Sequence, residues 1–214
     1  TYTFHLRDAQ WSDGVAVTAG DFAYSWLRTL DPATGSSQVE NFDSIKGAIA
    51  YYSGESTDPA TVGIVATDDK TLVVTLEAAD PFFIESMARG INFYPIRKDY
   101  VEKYGADYAS SPDKFIGCGP FTLTEWVQTA SLTMDKNPTY WDAANITLNK
   151  VDYLLTDNNS TALSMFDGNQ ADLVIDNLSP TDIKRLLKEG KLKTMPYIAN
   201  GYYCFNVQKA PFDN

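Results

Sequence analysis

Histidine and cysteine are almost missing from this chain: one His (His5) and two Cys (Cys118 and Cys204) stand among 214 residues. Zinc chemistry and Ser-His or Cys-His devices would have to rest on His5 alone, inside a strand-like segment, which argues against them. Two distant Cys without a CxxC make neither a disulfide scaffold nor a redox motif. Buried free thiols are the main reading, and a bridge between them the other. The GxSxG, HExxH, GxxxxGK[ST] and GxGxxG patterns are also lacking, so neither a metal nor a cofactor is expected. Basic residues are scarce: 17 Lys+Arg face 28 Asp+Glu, for a net charge of −11, and the pI is near 4.4. Nucleic acid and anionic lipid both need a basic surface, so neither is expected as a partner. No stretch of about 18 apolar residues reads as a membrane-spanning helix. No signal-peptide pattern is present. The chain opens directly on a strand-like TYTFHL and closes on PFDN, so both ends read as cuts through a longer protein.

What is present is ordinary globular material, 44% hydrophobic and 21% charged, with many aromatics: 13 Tyr, 11 Phe and 4 Trp. The length fits one or two domains. Tyr2, Phe4 and Leu6 alternate with polar residues as in a half-buried strand. Thr18 to Asp21 fits a capping box with Asp in the usual Glu place, and Phe22, Trp26, Leu27 and Leu30 repeat at helical spacing. A helix over about 19–30 follows, stopped by Asp31-Pro32. Phe42 to Tyr52 predicts a second helix with Ile45, Ala48, Ile49 and Tyr52 on one face. Segments 62–66 and 71–76 predict a β-hairpin. Asp80-Pro81 opens a helix through Met87, and 98–104 is a further short helix. Two strands are expected around Gln128-Thr129, then a strand at 151–155 and a helix at 161–166. A strand at 171–175 and a helix from Ser179-Pro180 to Leu187 come next, with strands at 192–195 and 201–206. The fold class is therefore mixed α/β: an α+β first half, then an α/β layer. The best boundary lies near 112–118.

Few residue groups point to chemistry. Asp167, Asp172 and Asp176 cluster in sequence but match no EF-hand pattern, so they read as a solvated rim. Paired acids for glycoside hydrolysis need a separation in space that a sequence does not show. Glu85-Ser86 lacks a neighbouring base. Tyr197, Tyr202 and Tyr203 gather with Asn200 near the end. Strand alternation sends Tyr202 and Tyr203 to opposite faces, one into the core and one toward a cleft, although packing roles for both remain open.

Several stretches together resemble a known family. They are Tyr2 to Arg7 (YTFHLR), Trp11 to Gly14 (WSDG), Val17 to Ala19 with Asp21-Phe22 and Tyr24 to Trp26, and Asp31 to Gly35 (DPATG). Asp69 to Leu76 (DKTLVVTL), Gly117 to Phe121 (GCGPF), Asn137 to Asp142 (NPTYWD), and Tyr202 to Asn206 with Ala210 to Phe212 complete the set. In this order and over nearly the whole chain they resemble the extracytoplasmic solute-binding proteins of the oligopeptide, dipeptide and nickel class (family 5), which serve ABC importers. The oligopeptide branch is the most similar.

The resemblance implies a periplasmic-binding-protein-like type II fold, here partial. Residues 1–112 would form a peripheral α+β domain and 113–214 part of the first ligand-binding lobe, with the second lobe absent. It implies a non-catalytic protein outside the membrane, in the periplasm or at the cell surface. Its partners would be an oligopeptide and the permease subunits, and it would touch the membrane through a lipid anchor outside this chain. Asn177 falls where the family sets an Asn against peptide backbone, and Tyr197 and Tyr202 fall on aromatic cleft positions. Cys204 stands where oligopeptide binders carry an acid near the ligand, and Ser36-Ser37-Gln38 lacks a frequent Tyr; both departures leave the ligand class open. A nickel chelate or an oligosaccharide in the same role is the alternative, and a glycoside hydrolase a remoter one. A broad peptide binder pairs ligand backbone and leaves side chains to wet pockets, work for which an Asn offers both donor and acceptor.

Overall fold

The computed structural model describes residues 1–175, 178–196 and 201–212. It divides into two compact units, Thr1–Leu155 and Thr156–Asn214.

The first unit is built on two three-stranded antiparallel sheets. Strand β1 (Tyr2–His5) pairs with β3 (Thr71–Val74), which pairs in turn with β2 (Ile64–Asp68), so the spatial order is β1-β3-β2. The β2–β3 hairpin is where its alternating apolar residues and Asp-Asp-Lys turn lead one to expect it. Leu72 and Val74 point inward from β3 and Ile64 from β2. Helix α1 (Ala19–Leu30) covers that face with Ala19, Trp26 and Leu30. Its start is fixed chemically: the Asp21 carboxylate accepts from the Thr18 backbone N–H at 2.8 Å, satisfying a donor that the helix leaves unpaired. The core beneath is aromatic. Trp26 meets Phe93 edge-on with centroids 5.2 Å apart, Phe93 lies 4.6 Å from Phe42, and the indole N–H donates to the Phe93 carbonyl at 3.0 Å.

The expected helix over 42–52 is broken. A 3₁₀ turn, Val39–Phe42, precedes a short helix α2 (Ala48–Tyr52), and Gly47 between them holds φ at 72°. A Cβ at Gly47 would stand 2.5 Å from the Thr61 carbonyl oxygen, so the chain approaches its neighbour where only Gly fits. The break rotates the inward face: Ile45, Ala48 and Tyr51 are buried, while Ile49 is exposed. Helices α3 (Phe83–Arg89) and α4 (Lys98–Tyr104) follow.

The second sheet, β4 (Phe121–Val127), β5 (Ser131–Lys136) and β6 (Lys150–Leu154), is an antiparallel meander with β5 in the middle. The second unit contains α5 (Asn159–Asp167) and α6 (Pro180–Lys188), whose Leu163 and Leu186 are buried. Asn158 caps α5 by accepting from the Thr161 N–H at 3.0 Å, and Ser179 caps α6 by accepting from the Asp182 N–H at 3.1 Å. The strands expected at 171–175, 192–195 and 201–206 are not formed among the described residues. Most of their large apolar side chains face solvent, with Ile175 83% and Met195 87% exposed. An extended segment becomes a strand only with a partner for its ladder, and these have none among the described residues.

Candidate ligand-binding site

Of the four residues expected to touch ligand, Asn177 and Tyr197 lie outside the described residues. Cys204 is exposed and Tyr202 is 81% exposed. Tyr203 is 93% exposed as well, so neither member of the Tyr202-Tyr203 pair enters a core. The described flank of Asn177 is the start of α6. Ser179 Oγ donates to Asp182 Oδ2 at 2.6 Å, and Arg185 reaches Asp167 at 2.9 Å and Glu189 at 3.3 Å. Asp167 is thus an ion-pair partner that ties α5 to α6.

The sequence stretches that carry the resemblance converge more tightly in the first unit. The backbone N–H of Ser12, in WSDG, donates to the Gly117 carbonyl at 2.9 Å, in GCGPF. Thr139 Oγ1, in NPTYWD, donates to the Trp11 carbonyl at 3.2 Å. Asn137 is buried, with Nδ2 donating to the Gly119 carbonyl at 2.8 Å and Oδ1 accepting from the Thr139 N–H at 3.0 Å. Trp11 Nε1 donates to the same Asp21 carboxylate that caps α1, at 3.3 Å. Four separate stretches therefore form one hydrogen-bonded knot, and their residue types are those that satisfy buried backbone groups. Cys118 lies within this knot, and burial pushes its thiol above the usual range.

Arg97 holds the outer side of the knot. Its Nε and Nη2 bind Asp99 at 2.7 and 2.6 Å, and its Nη1 binds Asp13 Oδ2 at 3.0 Å. Hydrogen bonding to Asp99 above all raises the guanidinium's proton affinity, against the opposing effect of burial. Sequence pattern does not mark this residue, because its partner Asp13 is 84 positions away. Beside the knot lies a cavity of about 340 Å³, lined by β1 and α1 residues together with Cys118, Tyr140 and Trp141.

The whole chain, residues 1–214, matches the model for bacterial extracellular solute-binding proteins, family 5, middle region. The chain belongs to this family. Among its relatives, the dipeptide-binding protein DppE of Bacillus subtilis is 37% identical over 215 residues, covering 100% of this chain and 39% of the relative. The oligopeptide-binding protein OppA of the same organism is 36% identical, covering 100% of this chain and 40% of the relative. Among solved structures, the Escherichia coli murein tripeptide binding protein MppA superposes with a TM-score of 0.85 at 34% identity, over 99% of this chain and 42% of that one. Haemophilus influenzae OppA in complex with the peptide RPPGFSPFR gives 0.83 at 28% identity, over 99% of this chain and 42% of that one. The chain thus spans about 40% of the length of the curated family 5 proteins it matches. Its mixed α/β architecture is that of part of a periplasmic binding protein, as expected from the sequence.

Proposed function

We propose that this chain is part of the substrate-binding component of an ABC importer, which captures oligopeptides outside the membrane and delivers them to the permease subunits. One observation carries the reading: the family match runs from the first residue to the last, and relatives at 36–37% identity are named for dipeptide and oligopeptide binding. The role asks for no chemistry on the ligand. Closure around a bound peptide shifts the protein toward a shut state, and a transporter can read that state.

Within this reading, residues 1–112 are the peripheral domain and 113–214 part of the first ligand-binding lobe. Asn177 pairs peptide backbone, Tyr197 and Tyr202 form part of the cleft wall, and Cys204 borders the ligand. The exposure of Tyr202 and Cys204 supports their availability to a ligand. The protein works in the periplasm or at the cell surface, held by a lipid anchor. The test is thermal denaturation of the whole protein with a library of short peptides, an oligosaccharide and a nickel chelate. A raised Tm with peptides supports the assignment, and a shift with the sugar or chelate alone overturns it. Asn177→Ala in the whole protein is expected to weaken peptide binding by about 1–3 kcal/mol; an unchanged affinity removes Asn177 from the site.

A further inference from the structure

The cavity of about 340 Å³ in the first unit is lined mostly by apolar side chains. Phe4, Leu6, Val17, Phe22 and Met87 make apolar walls, and the fully buried Trp26 lies among them. No Asp or Glu lines it, although the chain carries 28. The charged group at the cavity is the Arg7 guanidinium, whose Cζ lies 3.9 Å from the centroid of the half-exposed Trp141 ring. Neighbouring acids have contacts of their own. Asp8 binds Lys70 at 3.0 Å, Asp21 binds Thr18 and Trp11, and Asp142 accepts from Asn145 at 2.6 Å. Among the described residues Arg7 enters no ion pair.

We propose that this cavity binds a small amphipathic anion, a medium-chain acyl or arylalkyl monocarboxylate, with its apolar body among Phe4, Phe22 and Met87 and its carboxylate on Arg7. The volume falls in the range of small-molecule sites, and such sites combine apolar walls with one or a few placed polar groups. A guanidinium presents a planar fork that a carboxylate meets with two parallel hydrogen bonds. Stacking on Trp141 holds that fork at the cavity and strips part of its hydration. A peptide suits this cavity poorly, since its backbone needs a row of paired donors and acceptors, and the mostly apolar lining adds only His5, Tyr140 and Trp141 to Arg7 as polar side chains of any size. The proposal therefore concerns a ligand other than the peptide proposed above.

Cys118 lines the same cavity and serves as a reporter. In the full chain carrying Cys204→Ser, maleimide labelling of Cys118 at about pH 8.5 is followed with decanoate or decylammonium below its micelle concentration, or 1-decanol below its solubility limit. Decanoate at ten times its Kd is expected to slow labelling about tenfold. Arg7→Gln, at an exposed position, is expected to weaken decanoate about tenfold and leave 1-decanol unchanged. Labelling indifferent to decanoate overturns the proposal. So does protection by decylammonium equal to that by decanoate, or an Arg7→Gln chain that binds decanoate as tightly as the parent.

Discussion

Arg97 and Asp13, 84 positions apart, meet with Nη1 3.2 Å from Oδ1 and 3.0 Å from Oδ2. This contact fastens the WSDG loop to the start of α4, while the remaining guanidinium nitrogens grip Asp99. The Arg97 side chain is 11% exposed and lies over the Trp11 and Tyr100 rings, so removing its charge takes the shared partner from two carboxylates. Arg97→Met keeps most of the packing volume and deletes the fork. It is expected to destabilise the chain by about 2 kcal/mol, below the figure for fully buried pairs because Asp99 is largely exposed. A urea midpoint equal to the parent's would refute this.

The same contact predicts a pH dependence. Hydrogen bonding from Arg97 holds the Asp99 carboxyl below its usual range, against a smaller opposing effect of burial. The folded form thus binds this proton less readily than the unfolded form. The stabilisation is present above the unfolded carboxylate value of about 3.9 and is lost as pH falls through the lower folded value. Urea midpoints measured from pH 6 downward should fall less steeply for Asp99→Asn than for the parent. Parallel profiles would show that the pair contributes nothing to acid stability.

Asn137 uses both ends of its amide, donating to Gly119 and accepting from the Thr139 N–H and, at 2.7 Å, from Thr139 Oγ1. Asn137→Ala leaves a part-buried carbonyl and a part-buried N–H without this partner, for an expected loss of about 1–3 kcal/mol. Asn137→Asp should cost at least as much, since a carboxylate cannot donate to Gly119. Retention of the parent Tm by either variant would contradict the assignment.

Gly47 combines φ at 72° with a carbonyl 2.5 Å from where a Cβ would stand. Gly47→Ala is expected to lower stability by about 2 kcal/mol or more, against a near-neutral Gly201→Ala, which meets nothing within 4 Å. Equal thermal midpoints for the two variants would sink the argument.

The two thiols should differ in reactivity. Cys204 is exposed, whereas Cys118 is part-buried and its thiol is pushed up by burial. A thiol reagent at neutral pH is expected to show one fast and one slow phase, with the fast phase absent in Cys204→Ser. A single phase in the parent would disprove the difference.

Where local chemistry decides the structure, it was legible in the residues. The Thr18–Asp21 cap and the Asp31-Pro32 stop bound α1 at Ala19 and Leu30, as the spacing predicts. The helix at 98–104, the hairpin of β2 and β3, and the Ser179-Pro180 start of α6 follow in the same way. The helix over 42–52 misled because its apolar spacing continues through Gly47, and what breaks it is a long-range approach to Thr61. The strands expected after Leu155 rest on short apolar stretches, which report a side chain's preference but supply no neighbour to pair with. For the site, residue patterns led to the family and to Asn177, Tyr197, Tyr202 and Cys204, the first and second of which lie outside the described residues. The Arg97 grip and the Arg7–Trp141 stack were invisible because each joins residues far apart in the chain.

The strand order β1-β3-β2 sets a schedule for synthesis. Phe4 pairs with Leu72, so β1 waits for nearly 70 residues before its partner exists. At translation speeds of about 5–20 residues per second, that wait is on the order of 3–14 seconds. Once made, Trp26 and Phe42 have no β3 to rest against until Leu72 and Val74 follow, and until then these side chains stay open to a holdase at the ribosome exit.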